Sequence, residues 1–176
     1  EDWIRDYEKR WREAREKWKE KILEDARHVQ NPFDAYAANP FVLPDGRRIT
    51  EQDLRGAGAA VYVISRISGE GKDRRLEEGD YYLSVRERED LLYLDRFQIP
   101  LILILNSGGP VELTDILQET ENIGAVLNIS QPGQEGGRAA ADVLFGRAVP
   151  EGKLTATWAR RYEDHPFPDT YSYLNG

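Results

Sequence analysis

An α/β fold is predicted, built on an open, mostly parallel sheet with helices on both faces. Three short runs, nearly continuous in apolar residues, are typical of strands that are covered on both sides: 59–65, 101–106 and 123–129. Helical patterns alternate with these runs, which gives the order β, α, β, α, β, α. Right-handed crossovers in that order place helices on both faces of one sheet, so the fold is a three-layer sandwich.

A long amphipathic helix is predicted ahead of the sheet, from Asp2 to about Val29. Apolar residues recur there at steps of three and four, with Glu, Lys and Arg between them: Trp3, Tyr7, Trp11, Ala14, Trp18 and Ile22. The stripe is typical of ordinary packing, and a partner-helix or coiled-coil role is the alternative. His28 is expected to end the helix, where a cation suits the helix dipole.

The following segment, residues 31–58, is predicted to be a linker, because prolines and glycines interrupt it too often for a long regular element. Thr50 and Asp53 predict one short helix within it. The expected organisation is a single α/β-sandwich domain over residues 1–176. Its parts are a leading helix (1–30), the linker (31–58), the sheet with its helices (59–160) and a tail (161–176).

Three helices are predicted between and after the strands. Ser84 and Glu87 have the spacing of a capping box that opens a helix running to about Phe97. Pro110 precedes the helical pattern VELTDILQE, and Gly137 to Phe145 is helical up to Gly146. Lys153 to Trp158 could add a further strand at the end of the sheet.

The composition excludes several classes of function. The absence of cysteine excludes disulfides, thiolate metal sites and a cysteine nucleophile. A net charge of −8 disfavours nucleic acid as a partner. The longest apolar run, Pro100 to Leu105, is far below the ~18 residues that a membrane span needs. Because the chain starts at Glu1 and has no methionine, a signal peptide or an upstream domain could precede it; a cytoplasmic location is favoured and secretion stays open.

Three loops leave the carboxyl ends of the predicted strands: 66–74, 106–110 and 130–137. In an open parallel sheet these loops gather at one edge, which is the default ligand site. The first loop reads SRISGEGKDR and places Glu70 between Gly69 and Gly71. Flanking glycines let the backbone present a carboxyl group outward. An exposed glutamate in a plain surface turn is the alternative interpretation.

The other two loops, QPGQEGG and NSGGP, have glycines that suit either anion binding or close packing, and packing is favoured. Neither loop matches a dinucleotide or Walker pattern, and the chain has no GxSxG elbow. The two histidines, His28 and His165, lie near opposite ends of the chain in no metal or triad spacing. We therefore expect no metal and no organic cofactor.

Several motifs together identify a known family. SRISGEGKDR, GDYYLS at Gly79 to Ser84, QPGQEGG, GKLTATW and RYED occur in an order and spacing that resemble the α/β-sandwich domain of bacterial glycoside hydrolases of family 3, of the β-glucosidase type. NPFDAYAANPF before the first strand resembles the entry segment of that domain. The resemblance covers residues 31 to the end, and the α/β fold read from the residues agrees with it.

The resemblance implies an active site shared by two domains. A barrel domain would supply the aspartate nucleophile and most sugar contacts, and the sandwich domain would extend a loop with the acid/base glutamate. Glu70, in the matching SGEG segment, takes that catalytic role. Arg66 and Ser68 would contact or orient the sugar, and Asp73 and Arg74 would hold the loop. In retaining chemistry the acid/base lies about 5 Å from the nucleophile.

One departure from the family is the absence of a barrel, which takes roughly 250 residues. The isolated chain is therefore expected to be inactive, and its partners would be a β-glucoside or related oligosaccharide and a family 3 barrel domain in cis or in trans. The barrel would also have to desolvate Glu70, because an exposed glutamate with a pKa of about 4.3 is too acidic for this task. A smaller departure is Glu151, where a serine is expected.

Two other functions stay open as alternatives. A noncatalytic carbohydrate-binding or interaction module could have the same fold, although Glu70 favours an enzymatic origin. A nucleotide-binding domain is disfavoured by the lack of a phosphate loop. A homodimer is a further expectation, formed through the edge at residues 65–74 or through the stripe of Trp3, Trp11 and Trp18.

Overall fold

The computed structural model describes residues 2–67 and 74–166 of the chain. Its described part divides into two compact units, one formed by residues up to Thr50 and the other by residues from Glu51 onward. Within residues 2–67 and 74–166, no helix has the length and apolar character needed to cross a membrane.

The first unit contains two helices, α1 (Asp2–Asp25) and α2 (Pro32–Ala38). Helix α1 ends at Asp25, earlier than the predicted Val29, because the next residues turn away with tighter bonds such as His28 N–H to the Asp25 carbonyl (3.0 Å). His28 therefore lies in a turn beyond the helix. The short helix α2 begins with Pro32 at its first position, where a missing N–H costs nothing.

The aromatic stripe of α1 packs within its own unit. The Trp11 ring lies edge-on to Phe41 with centroids 6.1 Å apart, and Trp18 contacts Phe41 at 5.5 Å. The Trp18 indole N–H donates to the Asn39 carbonyl at 2.7 Å, which satisfies the polar end of a partly buried ring. Trp3 is 54 % exposed. Dimerisation through this stripe stays a prediction.

The second unit contains the sheet. Three parallel strands lie in the order β1 (Ala60–Ser65), β2 (Leu101–Asn106) and β3 (Ile123–Asn128), which confirms the predicted strands and their direction. Four helices accompany them in chain order: α3 (Glu51–Leu54), α4 (Val85–Asp95), α5 (Thr114–Glu119) and α6 (Gly136–Leu144). A 3₁₀ turn spans Tyr162–Asp164.

Successive side chains of each strand point to opposite faces of the sheet, so core contacts form on both faces. On one face, the Tyr62 hydroxyl donates to Asp90 of α4 at 3.2 Å. On the other face, Val63 and Ile104 share a groove with Ala140 of α6. Helices therefore cover both faces, as predicted. Leu103 in the central strand is fully buried, and such a side chain contributes about 1.5–3 kcal/mol of burial free energy.

The segment from Lys153 to Trp158 forms no strand, so the suggested additional strand was wrong. Only Leu154 and Trp158 are large apolar residues in this segment, and Leu154 is 56 % exposed. Too little apolar surface is buried there to offset the entropy of ordering a strand.

Candidate functional site

The carboxyl ends of the strands meet at one edge of the sheet. Ser65 lies beside Asn106 in the register of β1 and β2, and Leu105 lies beside Asn128 in the register of β2 and β3. The Asn106 side-chain amide donates to the Ser65 hydroxyl at 3.4 Å. The loops that follow the three strands therefore start side by side, as the predicted topology required.

The first of these loops carries most of the predicted site. Ser68, Glu70 and Asp73 lie outside the described residues, so their roles stay predictions. The residues on either side, Arg66 and Arg74, are described and show how the ends of the loop are held.

Arg66 is a buried residue, only 7 % exposed, and all its donors are used by the protein. Its two terminal nitrogens pair with both carboxylate oxygens of Glu87 at 2.7 Å each. Its Nε donates to the Asp80 carbonyl at 2.7 Å, and the remaining two N–H groups reach the carbonyls of Ser65 and Tyr82. All five N–H groups of Arg66 therefore have acceptors within the protein, and its predicted role of contacting or orienting the sugar stays a prediction.

Arg74 joins the end of the first loop to the second loop. Its Nη1 donates to the Pro110 carbonyl at 3.0 Å and lies 3.4 Å from the Ser107 hydroxyl. Its Nη2 donates to the Asp80 carbonyl at 2.6 Å, and its Nε pairs with the Asp80 carboxylate. Arg74 is thus bound to Asp80 and to the second loop, and its role in holding the first loop stays a prediction.

Two acidic residues that sequence reasoning did not assign to the site bind these arginines. Asp80 also accepts the Arg75 backbone N–H at 2.8 Å. Burial alone would raise the pKa of Asp80, but the bonds from Arg74 and the Arg75 N–H outweigh it and hold the pKa below its usual value. Glu87 forms the predicted capping box with Ser84, yet its pairing with Arg66 spans 21 residues and has no local signal.

The second loop uses its own polar groups. Ser107 is 1 % exposed, and its hydroxyl donates to the Gly109 carbonyl at 2.8 Å. Arg74 also donates to the Pro110 carbonyl. The Ser107 hydroxyl and the carbonyls of Gly109 and Pro110 are therefore all hydrogen-bonded within the protein. This arrangement supports the packing interpretation of the loop over anion binding.

The third loop borders a groove of about 550 Å³ between the sheet and α6. The described residues that line it carry no charged side chain and are mostly apolar and small: Val63, Ile104, Asn106, Ile129, Gln131, Pro132, Gly133, Gly136, Gly137, Ala140, Ala141 and Leu144. Because this described lining offers an anion no cationic side chain, it favours the packing interpretation here too. Within the loop, Gly133 has a φ of 74°, which a residue with a side chain adopts only with strain.

Gly136 is expected to be required for the packing of this loop. A Cβ atom there would lie 2.1 Å from Pro132 Cγ, whereas a Cβ on Gly137 would meet nothing within 4 Å. Gly136→Ala should therefore lower the free energy of unfolding by about 1–3 kcal/mol. Gly137→Ala, the matched control, should raise it by about 0.4–1 kcal/mol, because alanine favours a helix. Urea denaturation measures both, and equal effects would contradict the packing argument.

A further acid, Glu112, lies beside an aromatic cluster after the second loop. Burial raises the pKa of Glu112, and the nearby negative charges of Asp115 and Glu163 raise it further. The Arg161 cation and a hydrogen bond from the Tyr162 backbone lower the pKa but do not outweigh these causes. The Tyr162 ring packs edge-on against Tyr81 at 5.7 Å. The family motif RYED contains Tyr162 and Glu163, but no sequence motif includes Glu112. The sequence analysis therefore did not predict Glu112 as a site residue.

No group of three or more His, Cys, Asp or Glu side chains is arranged to hold a metal within residues 2–67 and 74–166. His165, one of the two histidines considered above, stacks at a tilt against Tyr162 with centroids 5.7 Å apart.

The chain matches a protein-family model described as the glycosyl hydrolase family 3 C-terminal domain over residues 7–175. It is 34 % identical over 132 residues to beta-glucosidase A of Butyrivibrio fibrisolvens, a match that covers 62 % of this chain and 16 % of that protein. It is also 44 % identical over 59 residues to beta-D-xylosidase 1 of Arabidopsis thaliana, covering 34 % and 8 %.

Solved structures are similar over more of the chain. Beta-glucosidase 3B of Thermotoga neapolitana, in complex with glucose, superposes with a TM-score of 0.66 at 32 % identity, covering 89 % of this chain and 22 % of that one. A beta-glucosidase of Paenibacillus barengoltzii gives a TM-score of 0.67 at 29 % identity, covering 80 % and 17 %. The chain thus spans about a fifth of these structures, and 16 % of the Butyrivibrio protein.

Proposed function

This chain belongs to the family of glycosyl hydrolase family 3 C-terminal domains, and from that membership we propose that it supplies the acid/base glutamate, Glu70, to a retaining β-glucosidase-like site. A barrel domain, in the same polypeptide or in a partner, completes that site with an aspartate nucleophile. The observation that carries the proposal is that β1 ends with Ser65 at the carboxyl edge of the sheet, while the SGEG sequence begins three residues later in the chain.

The described geometry supports this assignment through the ends of the loop. Arg66, before the segment, is bound by Glu87 and by three backbone carbonyls. Arg74, after it, is bound to Asp80 and to the second loop. An acid/base group must be held within hydrogen-bond reach of the glycosidic oxygen, so rigid ends of its loop are what the chemistry requires.

The proposed reaction has two steps. In the first, the nucleophile attacks the anomeric carbon while Glu70 donates its proton to the departing glycosidic oxygen, which leaves as an alcohol. In the second, the Glu70 carboxylate takes a proton from water as the water oxygen attacks the glycosyl-enzyme and releases the nucleophile. Glu70 ends the cycle protonated, as it began, and the sugar keeps its anomeric configuration.

The proposed substrates are β-glucosides and related oligosaccharides. Similar proteins include beta-glucosidases and beta-D-xylosidases, so both sugars belong to the range to be tested. Most sugar contacts are proposed to come from the barrel, and the barrel therefore sets the preference between glucose and xylose.

Mixing the purified chain with a family 3 barrel domain tests the proposal. The isolated chain is expected to show no turnover of an aryl β-glucoside, because it lacks the nucleophile, and turnover should follow when the barrel is added or fused. Ready hydrolysis by the pure chain would contradict the shared site. Binding of sugar without any turnover in the presence of several barrels would instead support the noncatalytic module.

A further inference from the structure

Both ends of the loop that carries Glu70 are bound by the same residue, Asp80. Its carbonyl oxygen accepts from Arg66 Nε at 2.7 Å and from Arg74 Nη2 at 2.6 Å. Its carboxylate pairs with Arg74 Nε and accepts the Arg75 backbone N–H at 2.8 Å. One residue therefore closes the chain segment between positions 66 and 74 into a ring of hydrogen bonds.

A tight turn gives Asp80 this geometry. Gly79 has a φ of 79°, and its N–H donates to the Tyr82 carbonyl at 3.0 Å. The Tyr82 N–H donates back to the Glu77 carbonyl at 3.2 Å, so the turn is closed on both sides. The backbone carbonyl and the carboxylate of Asp80 are thus both directed at the arginines.

The pairing of Asp80 with Arg74 is also shielded from water. The side chains of the two residues are 20 % and 21 % exposed, whereas those of the neighbouring pair Glu77 and Arg75 are 50 % and 67 % exposed. Exposed pairs are weak because water and salt screen them. The Asp80 contact therefore restrains Arg74 more than an ordinary surface ion pair does.

We propose that Asp80 is a positioning residue that holds both ends of the acid/base loop in register. The proposal rests on the assignment of the acid/base role to Glu70 and adds a residue that acts on the reaction only through Glu70. Loss of the carboxylate leaves the Asp80 carbonyl in place but frees the turn and Arg74 to move. Because a displacement of 1 Å at a reacting group costs roughly 10²-fold in rate, a small movement of the loop ends is sufficient for a large effect.

Hydrogen exchange on the chain itself is the first test. In Asp80→Asn, the Arg66 amide, which donates to the Asn106 carbonyl at 3.0 Å, should exchange about 10-fold faster relative to the Leu103 amide in the central strand. Asp142→Asn is the control, because Asp142 on α6 also binds an arginine, Arg147, through both its carboxylate (3.3 Å) and its carbonyl (2.7 Å). It should leave the ratio of the two exchange rates unchanged. An unchanged ratio in Asp80→Asn would overturn the proposal, whatever the role of Glu70.

The second test is kinetic and uses the chain combined with a barrel domain. Asp80→Asn should lower kcat about 10²-fold with a change in KM below about threefold, and the loss should be greatest for aryl glucosides with poor leaving groups, which need the acid most. In a Glu70→Gln background, Asp80→Asn should cause little further loss. An equal loss for all leaving groups, or full additivity with Glu70→Gln, would show a merely structural role. If Glu70→Gln itself is fully active while the exchange result holds, the proposed function fails and the restraint on the loop stands.

Discussion

Glu70→Gln, in the chain combined with a family 3 barrel domain, should lower kcat for an unactivated β-glucoside by about 10²- to 10⁴-fold. Glutamine is nearly the same size as glutamate but cannot give up or take a proton. The nucleophile is left intact, so KM should change much less than kcat. Steady-state kinetics with a natural disaccharide measures this loss.

The leaving group and an added anion separate the two roles of Glu70. An aryl glucoside with a very good leaving group needs little acid in the first step, so the glycosyl-enzyme should accumulate in Glu70→Gln and give a burst. Azide needs no general base, and it should therefore accelerate turnover and give the β-glycosyl azide.

Glu151→Gln removes an exposed carboxyl elsewhere in the chain and is the control, with an expected kcat equal to that of the parent. Normal kcat for a poor leaving group in Glu70→Gln would assign the acid/base role to another residue. If azide does not accelerate turnover by Glu70→Gln, another residue acts as the general base in the second step.

Glu87→Ala should lower the free energy of unfolding by about 3–5 kcal/mol, the largest stability effect that we expect in this chain. The Arg66 side chain is only 4 % exposed, and within residues 2–67 and 74–166 its carboxylate partner is Glu87, through two 2.7 Å bonds. Alanine at position 87 takes this carboxylate away from a buried cation. Ser84 is the N-cap residue of α4, and the substitution also removes the acceptor of its backbone N–H, a hydrogen bond of 2.8 Å.

Urea denaturation of the chain measures this effect, and a surface ion pair provides the control. Glu119 pairs with Arg88 while both side chains are about 40 % exposed (41 % and 42 %), so Glu119→Ala should cost at most about 1 kcal/mol. Glu87→Gln, which keeps an acceptor for Ser84 but loses the charge, should fall between the two. A loss below about 1 kcal/mol for Glu87→Ala would mean that water reaches Arg66 and replaces its partner.

The two effects connect at one place in the fold. Arg66 follows β1 directly and precedes the loop that carries Glu70, so the ion pair that stabilises α4 also holds the start of the proposed acid/base loop. Weakening this ion pair is expected to lower activity before the domain unfolds, because local movement of a loop costs less free energy than opening the core.

The sequence by itself determined the strands, their direction and the edge at which a site would form. Runs such as Leu101 to Asn106 are apolar on both faces and are separated by helical stretches, and only a parallel sheet covered on both sides buries them. Short-range chemistry also predicted the capping box at Ser84 and Glu87, which the structure confirms. The family followed from motifs that are contiguous in the chain and can be read locally.

Only the tertiary structure decided which residues bind one another across those motifs. Arg66 meets Asp80 and Glu87, which are 14 and 21 residues away, because β1 and α4 bring them together in space. Local patterns carry no information on such pairs, and an arginine in a polar loop looks the same whether it is exposed or buried. Apolar periodicity is a property of neighbouring residues, whereas burial and pairing of charges depend on the packed fold as a whole.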